Sequence, residues 1–137
     1  MAYRSINRYR RAGSKYNSMK VQRDGQTFDS VKEWRHWVYL KGKEEDGEIA
    51  GLQRQVKFEL IPTQREPSEE IYARGQKKGQ PKPGRVLEES VSYYADFVYF
   101  DSSGEMHVED TKGVKTKDYV IKRKLMLYKY NIKIQEV

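Results

Sequence analysis

Two segments of this chain place charge where strand-forming residues dominate. Tyr93-Tyr94-Ala95-Asp96-Phe97-Val98-Tyr99-Phe100 holds an aspartate inside an aromatic run, and Glu109-Asp110-Thr111-Lys112-Gly113 closes a second run with a carboxylate and an amine two residues apart. Side chains alternate between the faces of a strand. Met106, Val108, Asp110 and Lys112 therefore share one face, and His107, Glu109 and Thr111 the other. Charged groups are seldom fully buried unless they are paired or bind a metal. Asp96, Asp110 and Lys112 gathered at one sheet edge form a set that holds a divalent cation and activates water. The expected chemistry is metal-dependent phosphodiester cleavage.

The elements that must position these residues follow from local signals. Asp24-Gly25 predicts a hairpin joining Lys20–Arg23 to Gln26–Phe28. Ser30-x-x-Glu33 fits a capping box at the start of a helix from about Val31 to Lys43. Val31, Trp34 and Val38 form its apolar stripe, with Glu33, Trp37 and Leu40 as an adjacent stripe that puts Glu33 at the edge of the buried face. Glu44 to Gly51 reads as a turn and Leu52 to Pro62 as a strand, with Val56, Phe58 and Leu60 on one face and Gln55 and Lys57 on the other. Thr63 to Glu89 is a long irregular stretch carrying three prolines and three glycines, either functional or disordered at that length. Ser90–Asp101 and Glu105–Lys112 predict an antiparallel hairpin around Asp101-Ser102-Ser103-Gly104. Thr116 caps a second helix, Lys117 to Tyr130, with Ile121, Leu125 and Tyr128 as its core stripe. Asn131 ends it, and a short strand holds Ile132 and Ile134.

Length and composition bound the answer. The 137 residues suit one domain: a flexible basic arm over residues 1–19 and a folded unit over 20–137. Apolar residues make up 36% and charged residues 34%, so the core is modest and leans on eleven Tyr, four Phe and two Trp. No stretch approaches the ~20 apolar residues of a membrane span, and the basic N-terminus lacks the apolar segment of a signal peptide. The absence of cysteine excludes disulfides, thiolate metal sites and Cys nucleophiles, and suits a cytoplasmic location. The net charge of +7 is distributed basic, acidic, basic: seven basic and no acidic residues over 1–23, twelve and eighteen over 24–110, eight and two over 111–137. Basic flanks around an acidic centre suit a nucleic acid gripped at its sides and presented to a cation. Candidate contacts are Arg4, Arg8, Arg10, Arg11 and Lys15 in the arm, Lys77 and Lys78 in the long stretch, and Lys115 and Lys122 around the second helix.

Asp96 followed by Asp110-Thr111-Lys112 on the next strand, a leading helix with Glu33, and the helix–strand–strand–strand–helix–strand order resemble the PD-(D/E)xK nuclease superfamily. Ala95 stands where the nominal motif has proline. The wider layout is similar to a family of small phage-encoded proteins of uncharacterised function. The segments that carry this likeness are Asp24-Gly25 with Phe28-Asp29-Ser30-x-x-Glu33, Leu52-x-x-Gln55-x-x-Phe58-x-Leu60-x-Pro62, Tyr94-x-Asp96-Phe97 and Glu109-Asp110-x-Lys112-Gly113. The resemblance implies an α/β, restriction-endonuclease-like αβββαβ core, a central mixed sheet flanked by helices. It implies Asp96 and Asp110 as ligands of Mg²⁺ or Mn²⁺, with the Thr111 carbonyl as a third. Lys112 would act on the attacking water or the phosphate. Glu33 would orient a water or a second metal, and Gln55 would contact water or phosphate at the rim.

Plainer explanations compete with these roles. Asp110 and Lys112 also fit a same-face ion pair, Glu33 a capping glutamate, and Gln55 an ordinary strand residue. Glu109 reads as a surface or supporting carboxylate. His36 reads as a partly exposed helix residue and His107 as an outer strand residue, neither at metal-ligand spacing. The expected function is a Mg-dependent endodeoxyribonuclease. Its substrate class would include branched DNA, since similarity extends to Holliday junction resolvase-type endonucleases, and cutting opposed strands would require a homodimer. A non-catalytic DNA-binding or assembly protein is the alternative. An RNA-binding module is disfavoured by the acids beside the aromatic strand.

Overall fold

The computed structural model describes residues 19–137, so the arm residues Arg4, Arg8, Arg10, Arg11 and Lys15 lie outside the described part. The chain forms a mixed α/β domain. Strands β1 (Val21–Arg23) and β2 (Gln26–Phe28) make the expected hairpin, with Asp24 and Gly25 both at positive φ in the turn. Helix α1 (Val31–Glu45) begins at Ser30, whose Oγ accepts from the Glu33 N–H. Glu33 reaches back to the Asp29 N–H, one residue before the cap position of a standard box.

Strand β3 (Ile49–Ile61) starts three residues earlier than the turn signal predicts. Gly51, at φ +66°, allows this by forming a bulge, and the pairing register with β6 (Val91–Asp101) shifts by one across it. Strand β7 (Met106–Asp110) ends at the aspartate, so Lys112 lies in the following loop and not in the strand. Helix α2 (Lys117–Tyr130) is capped by Thr116 and closed by Asn131 in the left-handed conformation. The last strand, β8 (Gln135–Glu136), comes after Ile132 and Ile134. The sheet order is β3-β6-β7-β8, antiparallel except for the parallel β7–β8 pair.

Two clusters of buried side chains fill the interior. One joins Leu60, Tyr93, Ala95, Val98 and Val108 to Tyr119 and Met126 of α2, and the other joins Ile49, Phe97 and Tyr99 to Leu40 of α1. Val98 belongs to the first cluster and its neighbours Phe97 and Tyr99 to the second, so the helices cover opposite faces of the sheet. Regular alternation would give Ala95 and Phe97 the same face, yet they sit in different clusters. The break occurs at Asp96. In β3 it falls at Gln55, between Arg54, which packs on the α1 side over Phe28, and Val56 on the α2 side. Gln55 is one of only three non-glycine positive-φ residues among those described, at φ +50°. The register pairs Arg54 with Phe97 and Val56 with Ala95, which sets Gln55 opposite Asp96 at the rung where both strands exchange faces.

In α1 the adjacent stripe of Glu33, Trp37 and Leu40 turns inward in place of Val31 and Val38, and in α2 Leu125 packs on the core while Ile121 and Tyr128 do not. In α1 the buried residues are Glu33 and Leu40 with Trp37 half-buried, while Val31 and Val38 are exposed. In α2 Tyr119 and Met126 are buried; Ile121 is exposed and Tyr128 is 89% exposed. The Thr63–Glu89 stretch is also corrected from irregular loop to hairpin-like finger. Strands β4 (Gln64–Arg65) and β5 (Val86–Glu88) pair antiparallel at its base, and Ile71 bridges Pro81 further out. Gly84 sits so close to the opposite chain that an added Cβ would stand 1.8 Å from the Glu66 carbonyl oxygen. Among the described residues no helix is long and apolar enough to cross a membrane.

Candidate metal centre

Strand β7 ends beside the rung where β6 changes faces, and this brings Asp110 next to Asp96. Asp110 is 0% exposed. Its Oδ2 accepts a 2.7 Å hydrogen bond from the Tyr93 hydroxyl, but its Oδ1 is buried with no hydrogen-bond partner. Lys112 Nζ stands 3.7 Å from Oδ1, close enough to attract but too far to donate. Burial, and then the neighbouring Asp96 charge, push the Asp110 carboxyl up to about 6 against the pull of Tyr93 and Lys112. The Tyr93 hydroxyl is itself driven strongly upward by burial and by Asp110, so it stays a donor.

Asp96 is held from two sides. The Thr111 N–H and hydroxyl both donate to its Oδ2 at 2.8 Å, and Gln55 Nε2 donates to Oδ1 at 3.2 Å. The same Gln55 nitrogen lies 3.3 Å from Glu33 Oε1, so Gln55 bridges the two acids. Its left-handed backbone is what turns the side chain into this position. Glu33 is 2% exposed and also receives Arg54, at 3.2 Å. Burial, then Asp96, raise the Glu33 carboxyl above its ordinary range. Arg54 in turn lies over the Phe28 ring and donates to Gln26 and the Thr27 carbonyl, tying the β1–β2 hairpin to this corner.

The structure thus brings Asp96, Asp110, Thr111, Lys112, Gln55 and Glu33 into one corner. Glu33 is one side chain removed from Asp96, and its oxygens are taken by Arg54, Gln55 and the Asp29 N–H. Lys77 and Lys78 sit at the exposed tip of the finger, Lys122 is half-buried on α2, and Lys115 is ion-paired with Glu136. Lys115 and then Arg123 hold the Glu136 carboxyl down at about 2.

Of the two readings of Glu109, surface or supporting carboxylate, its burial excludes the first. It is 6% exposed, accepts from the Tyr99 hydroxyl at 2.6 Å, and meets His36 Nε2 at 2.5 Å. Its signal lay in the neighbouring run Phe97-Val98-Tyr99, which is apolar at consecutive positions and so marks a strand covered on both faces. Tyr93 as the Asp110 donor and Arg54 as a Glu33 partner were also missed, since no spacing rule singles them out.

Asp110 Oδ1 passes a physical test for a cation site: a buried anionic oxygen without a donor is what a hard cation satisfies, and carboxylates are its preferred ligands. Among the described residues, the trio whose ligand atoms all lie within 4.8 Å of one another is Asp101, Glu105 and His107. That trio has another explanation. Asp101 Oδ1 accepts from the Ser103 N–H and hydroxyl and from the Glu105 N–H, and Oδ2 from His107, which together fasten the β6–β7 turn.

A family model described as a protein of unknown function (DUF1064) matches residues 13–136. No curated protein and no solved structure matches the chain.

Proposed function

The chain belongs to the DUF1064 family, and on that premise we propose, from its acidic corner, that it is a metal-dependent DNA endonuclease of the PD-(D/E)xK type. The observation that carries this reading is the buried Oδ1 of Asp110, without a hydrogen-bond donor, between Asp96 and Lys112. Asp110 and Asp96 would hold Mg²⁺ or Mn²⁺, with the Thr111 carbonyl as the further ligand the superfamily resemblance implies. The bound cation supplies positive charge to the phosphoryl oxygens and makes water a better nucleophile at neutral pH.

The chain's own residues do the rest. Thr111 and Gln55 fix the Asp96 carboxylate, so no reorientation is needed when substrate arrives. Tyr93 fixes Asp110 from the opposite side. Lys112, half-exposed and on a loop, is free to move its ammonium from Asp110 toward a phosphate oxygen or the attacking water. Glu33 holds Gln55, Arg54 holds Glu33, and both act as positioning residues. The basic flanks bring DNA to a corner whose acids alone would repel it.

The test offers supercoiled plasmid, linear duplex and a four-way junction to the wild type, Asp110→Asn and Asp96→Asn, with and without Mg²⁺ or Mn²⁺. Cation-dependent cleavage by the wild type is expected, abolished in both variants while DNA binding is kept or strengthened. Preference for the junction would identify branched DNA as the substrate class. An Asp110→Asn protein cutting at the wild-type rate would refute the assignment.

A further inference from the structure

A second feature adjoins the acidic corner on the α1 side. Lys32, Arg35, His36 and Tyr39 line a groove of about 260 Å³ whose other walls are Thr111 and Val137. The helical residues recur at three- and four-residue spacing, so they form one stripe along α1. Thr111 is common to both features: it floors the groove and donates twice to Asp96. The groove therefore opens directly beside the carboxylates.

Its charge is uncommitted. Lys32 and Arg35 are exposed, and among the described residues neither has a carboxylate within ion-pair distance. A second basic groove among the described residues, lined by Arg123, Lys124 and Lys133, differs: its Arg123 is tied to Glu136, and Leu127 and Ile134 also line it. The α1 stripe is also fixed in place. His36 is anchored to Glu109, Glu109 to Tyr99, and the His36 ring packs on Phe97 with centroids 5.3 Å apart. Burying the Glu109 carboxylate carries a desolvation cost, and what it gains is a rigid helix face beside the site. Lys32 also lies in the first turn after Ser30 and Arg35 just beyond it, where the helix dipole adds positive potential.

We infer that this groove binds the phosphate backbone of the DNA strand next to the bond presented to Asp96 and Asp110, with Lys32 and Arg35 as its phosphate contacts. The inference rests on the endonuclease reading for the identity of its ligand. Lys32 and Arg35 stand ~4.5 Å apart along the helix axis, comparable to the ~3.4 Å rise between successive nucleotides of one strand. One groove thus accommodates two successive phosphate contacts.

The experiment measures affinity for a labelled duplex in Ca²⁺ at several salt concentrations, using the wild type, Lys32→Ala/Arg35→Ala, and Lys124→Ala/Lys133→Ala as a control of equal charge. Removing one bound phosphate from the interface lowers the slope of log K against log salt by ~0.9. The slope of the α1 double variant should fall by up to ~1.8, and that of the control by much less. Equal reductions in both, no reduction in the α1 variant, or a wild type without DNA affinity would overturn the inference. Cleavage by the wild type in Mn²⁺ is scored separately. A slope difference without cleavage would sink the endonuclease and keep the groove, whereas cleavage without a slope difference would do the reverse.

Discussion

Replacing Asp110 by asparagine should stabilise the metal-free protein at neutral pH, although it removes a residue of the centre. The Asp110 carboxyl rises from an ordinary 3.8 to about 6, chiefly through burial. At 1.36 kcal/mol per unit, ionising it in the folded state costs about 3 kcal/mol. Because the folded pKa lies above the unfolded one, the native state binds more protons in this window. Stability is therefore lost as pH rises from about 4 through about 6. Asparagine removes that penalty and still accepts from Tyr93. Its amide adds a buried donor, which costs about 1–3 kcal/mol if it finds no acceptor. The net gain is up to about 2 kcal/mol, or up to roughly 7 °C in Tm for a domain of this size. Thermal melts followed by circular dichroism at about pH 8 should show it, and melts at about pH 4, where folded wild-type Asp110 is protonated, should not. Saturating Mn²⁺ should stabilise the wild type alone, by about 2.7 kcal/mol at a hundredfold excess over Kd, and so raise its Tm. An asparagine variant that is less stable at about pH 8 without metal, or that gains as much from Mn²⁺, would show that Asp110 is an ordinary satisfied carboxylate.

Lys112→Ala should lower single-turnover cleavage far more than DNA affinity; an unchanged rate with weakened binding would reduce Lys112 to a phosphate contact. Gln55→Gly relieves a left-handed backbone worth about 1–2 kcal/mol but breaks the bridge between Glu33 and Asp96. Denaturant unfolding should show little loss of stability while cleavage falls, and parallel loss of both would argue that Gln55 serves the fold alone. Gly84→Ala should open the finger without unfolding the sheet, since its Cβ would meet the Glu66 carbonyl at 1.8 Å. Faster amide exchange confined to residues 64–88 would report this, and unaltered exchange there would show that the backbone yields at no cost.

Local chemistry announced itself in the sequence. Ser30, Thr116 and Asn131 mark the helix ends because capping is decided within a few residues, and the β6–β7 pair follows from two runs around an Asp-Ser-Ser-Gly turn. The inward stripes were less legible. In α2 Val120, Ile121, Leu125, Met126, Leu127 and Tyr128 surround the helix, so periodicity does not choose among faces. In α1 the residue buried most deeply in the first turn is Glu33, which any hydrophobicity pattern counts as polar. The finger escaped because its strands are two and three residues long and hold by backbone pairing, which leaves no apolar signature. Asp96, Asp110 and Lys112 were visible by type and spacing. Their supports, Tyr93 and the Gln55 bridge, depend on a change of strand face that a glutamine at positive φ does not advertise.

The rung formed by Gln55 and Asp96 belongs to neither of the two apolar clusters. On one side of it Tyr93 and Ala95 face α2; on the other the faces alternate, Phe97 and Tyr99 toward α1 and Val98 toward α2. Substitutions at the rung itself ask nothing of either interior. The chain thus keeps one position in each strand where side-chain identity is released from packing, and both open onto the same corner. Variation in what that corner does can therefore accumulate without first being tolerated by the hydrophobic interior.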